Sequence, residues 1–395
     1  MQERRYAHRM GNMRASDIRE LLKMSTSPGV ISLAGGLPAP ELFPTQDIAD
    51  ASCKVLHEMG QVALQYTTTE GYAPLREKIA ARMNRLFGAS ATADNVLIVS
   101  GSQQGLDFAG KLLIDDDDVL VCECPTYVGA ISAFRAYLPR FEEAPTDDHG
   151  LIPEELAKIL AREPRVKAIY VIPDFQNPSG RCWSLERRQA FMELVSQYNV
   201  VVLEDNPYGE LRYEGENLPS LKSMDKKGQV VMFGTFSKIL APGMRIAWIL
   251  AEKDLVEKFV LIKQGADLQT STISQMEINA YLEDNDIDVH VEKIKKLYRA
   301  RRDYMVQSIQ RHFPAEVTMT YPTGGLFLWC TLPESCNARE LLKIALEKKV
   351  AFVPGGGFFP NGGHENTMRL NFSNMPEDRI EEGISRLGAA IKAFL

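Results

Sequence analysis

The stretch VVMFGTFSKILAPGMRIAWIL, residues 230–250, holds two short apolar runs on either side of a polar turn. The runs, VVMFG (230–234) and IAWIL (246–250), are apolar enough to be strands buried on both faces of a sheet. Comparable runs, separated by longer mixed stretches, recur between about residues 90 and 250, namely NVLIVS (95–100), VLVCE (119–123), AIYVIP (168–173) and VVVLE (200–204). This alternation predicts an α/β fold, in which helices cover both faces of a mainly parallel sheet.

Polar side chains stand in the turn between the first two runs. Thr235, Ser237 and Lys238 follow one run, and Arg245 comes just before the next. A mainly parallel sheet binds ligands beyond the C-terminal ends of its strands, so these residues are candidates for a site. An amine beside two hydroxyls and a guanidinium supplies what a phosphorylated aldehyde cofactor requires, namely an imine former, phosphate donors and a countercharge. A lone lysine at a strand end is more often a solvated charge, so the hypothesis needs support from other strand ends.

Two other strand ends give that support. Gly101, Ser102 and Gln103 open a predicted helix, whose free backbone N–H groups and dipole suit a phosphate, although a tight turn capped by Ser102 is the alternative. Asp205 and Tyr208 follow another strand, where a simple turn is the alternative. The three sites together favour a cofactor site at this edge of the sheet.

Composition narrows the class of protein. The 395 residues exceed one ordinary core, which predicts a large and a smaller domain. With 45 Lys and Arg against 52 Asp and Glu, the net charge is −7, which disfavours binding to nucleic acid or to a membrane surface. The cysteines and histidines have no redox or metal-ligand spacing, so no metal is expected. No signal peptide and no apolar run of ~18 residues is recognised, which predicts a cytoplasmic protein.

Ordered motifs carry a resemblance to one enzyme family. The chain resembles the class I/II aminotransferases, which depend on pyridoxal 5′-phosphate (PLP) and have PLP-dependent transferase fold type I. Within that family it is most similar to the group of 2-aminoadipate and kynurenine/aminoadipate aminotransferases. The motifs are SLAGGLPAPELFP (32–44), EGYAPLR (70–76), SGSQQGLD (100–107), ECPTY (123–127), DFQNPSG (174–180), EDNPYGELRY (204–213), TFSKILAPGMRIAW (235–248), PTGGLFLW (322–329), VPGGGFF (353–359) and NTMRLNFS (366–373).

The resemblance also implies a division of the chain. Residues 1–45 are expected to form an N-terminal arm and substrate-covering segment that packs with the small domain. Residues 46–285 are expected to form the large PLP-binding domain, and residues 286–395 a small α+β domain. Residues 283–320 are predicted to form a long charged helix that leads into the small domain.

The resemblance assigns the chemistry to three residues. Lys238 is expected to form a Schiff base with PLP and then, as a free amine, to move a proton, work that suits an amine whose pKa lies near neutrality. Asp205 is expected to keep the pyridine nitrogen of PLP protonated. Tyr208, together with Asn177, is expected to hydrogen-bond the phenolic oxygen of PLP.

The remaining site residues are expected to hold the cofactor or the substrate. Tyr127 is expected to stack on the ring, and Tyr66 to reach the phosphate across the interface of a homodimer. Arg369 is expected to bind the substrate α-carboxylate as a bidentate pair, with support from Asn177. The phosphate is expected to lie against Gly101, Ser102, Gln103, Thr235, Ser237 and Arg245. Gly36 is expected to lie over the substrate, and Arg19 to meet a distal carboxylate or, alternatively, to be a solvated charge.

The implied activity is amino-group transfer. An L-amino acid, such as 2-aminoadipate or an aromatic or aliphatic amino acid, would give its amino group to a 2-oxo acid, expected to be 2-oxoglutarate, by a ping-pong mechanism. A PLP-dependent lyase or decarboxylase remains open, because fold and cofactor do not fix which bond at Cα breaks. A non-catalytic PLP-binding regulatory module is the third alternative, which the acidic balance and the start of the match near Ser32 disfavour.

Overall fold

The computed structural model describes residues 6–11, 13 and 29–395, so that Arg19 lies outside the described residues. The strands of this part of the chain are β1 (Ile31–Ser32), β2 (Val96–Val99), β3 (Val119–Cys124), β4 (Arg140–Asp147), β5 (Gly150–Leu151), β6 (Val166–Val171), β7 (Val201–Asp205), β8 (Val230–Thr235), β9 (Ala247–Leu250), β10 (Thr318–Met319), β11 (Phe327–Thr331), β12 (Val350–Ala351), β13 (Val353–Pro354) and β14 (Thr367–Asn371). The α-helices are α1 (Thr45–Ala63), α2 (Ala73–Phe87), α3 (Ser102–Leu113), α4 (Val128–Arg135), α5 (Pro153–Arg162), α6 (Leu185–Val195), α7 (Leu221–Met224), α8 (Lys253–Gln264), α9 (Thr272–Asp284), α10 (Ile287–His312), α11 (Ala338–Glu347) and α12 (Glu377–Phe394).

An eight-stranded sheet, counted over the described residues, forms the centre of the larger part of the molecule. Its order is β2-β9-β8-β7-β6-β3-β4-β5, and β8, β7, β6, β3 and β4 run parallel to one another. Alternate residues of β8 enter cores on opposite faces, since Val231 and Phe233 pack with α3 and α8, whereas Val230 packs with α6. All the predicted strands are present, and the predicted α/β fold is confirmed.

Strand β9 runs against both of its neighbours, because a short turn returns the chain directly beside β8. Thr235 pairs with Ala247 in β8–β9, and Val99 pairs with Ala247 in β2–β9. Two reversals make β2 parallel to β8. The C-terminal ends of β2 and β8 therefore meet the N-terminal end of β9 at one edge of the sheet.

A second, four-stranded sheet of the described chain has the order β10-β11-β14-β13 and is antiparallel throughout. Helix α10 leads to this sheet and is shorter than the predicted charged segment. It begins after Asp286, whose side chain caps the first turn, and it ends before Pro314. The boundaries at residues 45/46 and 285/286 stay predictions.

Helices long and apolar enough to cross a membrane are absent from the described residues.

Candidate active site

A cavity of about 340 Å³ opens at the edge where β2, β6, β7 and β8 end and β9 begins. Strands β11 and β14 of the smaller sheet close it from the other side through Phe327 and Arg369. The lining comprises Gly36, Ser102, Gln103, Leu106, Tyr127, Val128, Ile172, Asn177, Asp205, Pro207, Tyr208, Thr235, Ser237, Lys238, Pro242, Arg245, Phe327 and Arg369. Most of the residues predicted from three separate strand ends thus meet in one place.

One side of the cavity is rich in hydrogen-bond donors. Helix α3 begins at Ser102 after Gly101, which adopts a φ of 87° that suits glycine, and the Ser102 hydroxyl is buried without a partner among the described residues. Ser102 therefore does not cap the helix. Thr235 Oγ1 donates to Ser237 Oγ at 2.9 Å, and Arg245 reaches over the loop to donate from Nη2 to the carbonyl of Ser100 at 3.3 Å. Free amides, hydroxyls and a guanidinium make this side suitable for a dianionic phosphate.

Asp205, at the end of β7, supplies a buried carboxylate. Tyr170 donates its hydroxyl proton to Asp205 Oδ2 at 2.7 Å, whereas Oδ1 is buried with no partner in the described part of the chain. Burial raises the pKa of Asp205 to about 6, and the Tyr170 hydrogen bond acts in the opposite direction. An acceptor left open in a dry site is suited to an N–H donor from a ligand.

Lys238 projects into the same cavity from the turn after β8. Its Nζ donates to the carbonyl oxygen of Gly36 at 2.9 Å, which places the predicted covering loop beside the amine. Burial, followed by the charges of Arg369 and Arg245, lowers the pKa of Lys238 to about 8. The neutral form of this amine, which can act as a nucleophile or a base, is therefore more populated near neutral pH than that of an ordinary lysine.

Arg369, on β14, is buried opposite. Its Nη1 donates to Asn177 Oδ1 at 2.8 Å and its Nη2 to the Ala34 carbonyl at 2.7 Å, while the guanidinium lies 4.2 Å from the ring centroid of Phe327. Burial lowers the pKa of Arg369 to about 10, so it remains protonated at neutral pH. Within the described residues no carboxylate pairs with it, and its Nε is buried without a partner. A buried cation in this state is suited to an anionic ligand.

The two predicted tyrosines also lie in the cavity. Tyr208 packs edge-on against Phe327, with 5.8 Å between ring centroids, and burial raises the pKa of both Tyr127 and Tyr208. Each phenol is therefore neutral at physiological pH and can donate a hydrogen bond. Tyr66, by contrast, is 78% exposed and lines no part of the cavity in this chain.

Sequence reasoning missed several apolar lining residues, among them Leu106, Val128, Ile172 and Phe327. Leu106 and Phe327 stand inside motifs that carried the resemblance, and this position is the one signal that could have found them. Val128 and Ile172 look like ordinary core residues in the sequence. No local pattern separates them from the rest of the core.

The arrangement fits a flat, phosphorylated pyridine aldehyde. The donors around the unpartnered Ser102 hydroxyl suit its phosphate, the open Oδ1 of Asp205 suits a protonated ring nitrogen, and the Lys238 amine suits an aldehyde. Fold and site together define an enzyme of the PLP-dependent, fold type I class.

Comparison with known proteins identifies the family. A family model described as aminotransferase class I and II matches residues 29–387, and the chain belongs to this family. The chain is 44% identical to aromatic-amino-acid aminotransferase 1 of Thermococcus litoralis, over 99% of this chain and 94% of the relative. It is 42% identical to the 2-aminoadipate transaminase of Thermus thermophilus, over 98% of this chain and 96% of that protein.

A solved structure gives the same result. The kynurenine aminotransferase of Pyrococcus horikoshii, crystallised with PMP, kynurenine and its product, superposes with a TM-score of 0.95 at 41% identity, covering 99% of this chain and 97% of that chain. The predictions of an aminotransferase, of PLP as its cofactor and of fold type I are confirmed.

Proposed function

We propose that this enzyme transfers the amino group of an L-amino acid to a 2-oxo acid, with Lys238 as the residue that holds PLP. The donor range would include 2-aminoadipate and aromatic or aliphatic amino acids, and 2-oxoglutarate would be the acceptor in a ping-pong cycle. One observation carries the proposal: a lysine with a pKa of about 8 shares a cavity with an unpartnered Asp205 oxygen and a buried Arg369 that has no anionic partner in the described chain.

When bound, PLP supplies an aldehyde carbon that condenses with amines and a pyridinium ring that accepts electrons released at the substrate Cα. Asp205 Oδ1 would accept the N–H of that ring, and the Ser102 hydroxyl with Arg245 would bind the phosphate. The oxygen of Asn177 accepts from Arg369, and the Asn177 side chain also hydrogen-bonds Tyr208. The NH₂ of Asn177 and the Tyr208 hydroxyl would both donate to the phenolic oxygen.

Lys238 would have two tasks. Its neutral form would attach the cofactor, and after displacement by the substrate the free amine would take the proton from the substrate Cα. Both tasks need an unprotonated amine, which the burial of this side chain and the nearby charges of Arg369 and Arg245 favour. The Gly36 carbonyl, which accepts from Lys238 Nζ, would orient the amine during the second task.

Arg369 would bind the α-carboxylate shared by donors and acceptors. Its guanidinium is held in place by Asn177, the Ala34 carbonyl and the Phe327 ring, so little conformational entropy is lost when a carboxylate binds. Gly36 would lie over the bound substrate. A larger residue there would narrow the cavity, since its Cβ would stand 2.9 Å from Phe327 Cζ.

Donor selection would use a further cation. Lys238, Arg245 and Arg369 are the cationic residues of the cavity lining within the described chain, and each already has a proposed task. We propose that Arg19 meets the distal carboxylate of glutamate, 2-aminoadipate or 2-oxoglutarate and swings away for apolar donors. A donor panel with Arg19→Ala tests this proposal, because losses confined to acidic substrates support it and equal losses for leucine or methionine contradict it.

The active enzyme would be a homodimer. Apolar side chains on α1 and just after it are exposed, and we call them the α1 patch: Leu56, Met59, Val62, Leu64 and Tyr66. Residues 267–272 connect the segment after the patch to helix α3. Thr67 N donates to Gln269, and Gln104 Nε2 of α3 donates to Asp267 at 2.8 Å. The patch thus adjoins the phosphate side of the cavity, where a second copy would cover it and would contribute Tyr66.

The compartment is a smaller part of the proposal. All six cysteines are free, and the acidic net charge of −7 suits a soluble catalyst of small-molecule chemistry. We place the enzyme in the cytoplasm, where thiols stay reduced. Fractionation of the source cells tests this placement.

Borohydride reduction tests the attachment site directly. Reduction of the holoenzyme should fix the cofactor to the peptide that contains Lys238, and Lys238→Ala should abolish transamination. Attachment to another lysine, found by mass spectrometry, would refute the assignment. Release of ammonia without a 2-oxo acid would show a lyase instead.

A further inference from the structure

Tyr170 stands directly behind the carboxylate of Asp205. Strands β6 and β7 are parallel neighbours in which Tyr170 pairs with Leu203. Side chains two residues apart on a strand share a face, so Leu203, Asp205 and Tyr170 all lie on the same side of the sheet. This register brings the phenol against the Asp205 carboxylate, whereas the neighbouring Val171 points into the core on the other face.

The contact is a buried hydrogen bond of fixed direction. Tyr170 is 1% exposed, and its hydroxyl lies 2.7 Å from Asp205 Oδ2. Burial and the charge of Asp205 raise the pKa of Tyr170 well above its usual value, so the phenol keeps its proton and donates. The Phe134 ring packs edge-on against the Tyr170 ring at 5.7 Å, which leaves the phenol little freedom to move.

The two oxygens of Asp205 are therefore unequal. Oδ2 is engaged by Tyr170, and Oδ1 is buried without a partner in the described residues. We propose that Tyr170 is a positioning residue for transamination: its hydroxyl holds Oδ2 so that Oδ1 faces the ring nitrogen of PLP and the shared proton stays on that nitrogen. This inference rests on the proposed function insofar as Asp205 meets the ring nitrogen.

The chemical reason is a competition for one proton. The pyridine nitrogen and Asp205 share it, and the proton stays on the nitrogen as long as the carboxylate is the weaker base. Burial alone makes Asp205 a stronger base, and a hydrogen bond donated to Oδ2 stabilises its ionised form. Without the phenol, part of the proton population would move from the nitrogen to Oδ1. The ring would then be neutral and would accept electrons from Cα less well.

Tyr170→Phe removes the bond and keeps the ring. A hydrogen bond donated to a charged group is worth roughly 1.5–3 kcal/mol, which corresponds to about a tenfold or larger change. We expect kcat to fall by about tenfold or more, while KM for the amino acid changes by less than about threefold, because Arg369 and the substrate cavity are untouched. PLP should also dissociate faster from the variant.

The deciding readout is the protonation of the ring nitrogen, which a purely structural role would not alter. In holoenzyme loaded with PLP labelled with ¹⁵N in the ring, Tyr170→Phe should move the nitrogen resonance toward the unprotonated position. Tyr137→Phe is the matched control, because Tyr137 donates to the Asp107 carboxylate at 3.0 Å and lines no part of the cavity. The control should leave the resonance, kcat and cofactor release unchanged.

Two further variants keep the outcome decisive. Tyr170→3-fluorotyrosine preserves the packing and strengthens the donor, so it should move the resonance in the opposite direction even if Tyr170→Phe folds poorly. Asp205→Asn should move the nitrogen resonance all the way to the unprotonated position. An unchanged resonance in both Tyr170 variants, with a shift in Asp205→Asn, would overturn the role of Tyr170 and leave the proposed function standing. An unchanged resonance in Asp205→Asn would overturn the placement of Asp205 itself.

Discussion

Arg245 lies so close to Gly101 that no side chain fits between them: a Cβ on Gly101 would stand 2.0 Å from Arg245 Nη2. Gly101 also has a φ of 87°, a conformation that side chains strain. The glycine therefore lets the guanidinium reach over the start of α3.

Gly101→Ala should weaken PLP binding, because the methyl group displaces Arg245 from the proposed phosphate site. We expect at least a tenfold rise in the dissociation constant of PLP, the size of one charged hydrogen bond. Equilibrium titration of cofactor-free protein provides the measurement. Gly243→Ala is the control, since nothing lies within 4 Å of a Cβ there, and an equal loss in the control would contradict the explanation.

The reactivity of Lys238 in cofactor-free enzyme should rise with pH and level off above about pH 8. Burial and two arginines lower its pKa to that value, so the neutral amine is the major form at higher pH. Quantitative mass spectrometry after brief amine labelling gives the midpoint. Arg369→Gln removes one of the charges and should move the midpoint upward; an unmoved midpoint would show that this charge is not felt at Lys238.

Asp205→Asn should stabilise the cofactor-free enzyme at pH 8. Burial raises the pKa of Asp205 from its ordinary value of 3.8 to about 6, so the folded state holds the proton more tightly than the unfolded state does. The free energy of unfolding therefore falls as pH rises from about 4 to 6, and the variant escapes that loss. We expect a gain of at most about 3 kcal/mol, at ~1.4 kcal/mol per pKa unit. Urea unfolding at pH 8 and pH 4 checks this, and a gain that persists at pH 4 would have another cause.

Arg369→Lys should raise KM for every amino acid and 2-oxo acid together. The lysine ammonium is a point charge. It would replace the planar guanidinium that Asn177, the Ala34 carbonyl and Phe327 hold in place. Increases of about tenfold are expected in steady-state kinetics with three unlike donors. Arg181→Lys, outside this cavity, should change nothing. An effect limited to one donor would place Arg369 at the substrate side chain instead.

Hybrid dimers should reveal which subunit uses Tyr66. Lys238→Ala and Tyr66→Ala subunits, each inactive or weak alone, would form a hybrid in which one site has both Lys238 and the partner's Tyr66. Mixing by mild unfolding and refolding should therefore recover activity up to about one quarter of the wild-type level per subunit, the statistical expectation for random pairing in a symmetric dimer. No recovery, with hybrids confirmed by native mass spectrometry, would show that Tyr66 does not act across an interface.

The apolar strands of the large sheet were predictable because each is a continuous apolar run. Such a run can be recognised in the sequence without knowing how the strands pair. Strand β4 was not predicted, since Arg140–Asp147 lies near the sheet edge and mixes charged with apolar residues instead of forming an apolar run. The order of strands was out of reach as well. It depends on contacts between residues far apart in the chain, which no local pattern records.

The site residues also include some that the sequence predicts and some that it does not. Lys238 and Asp205 were predictable because polar side chains at the ends of apolar strands are conspicuous. Tyr170 was hidden, because within AIYVIP a tyrosine looks like one more core residue, and only its register with Leu203 brings the phenol to Asp205. Phe327 was hidden for the related reason that one ring serves both the core and the cavity wall.

The reversal at β9 makes the two ends of the large sheet unequal for protein engineering. Lys238 and Arg245 both sit in the single turn that joins Thr235 to Ala247, so one inserted or deleted residue there would misplace both side chains at once. At the opposite end, Lys226 and Lys227 are exposed and lie just before β8. A fusion tag or reporter peptide inserted at that position would leave the catalytic turn in its register.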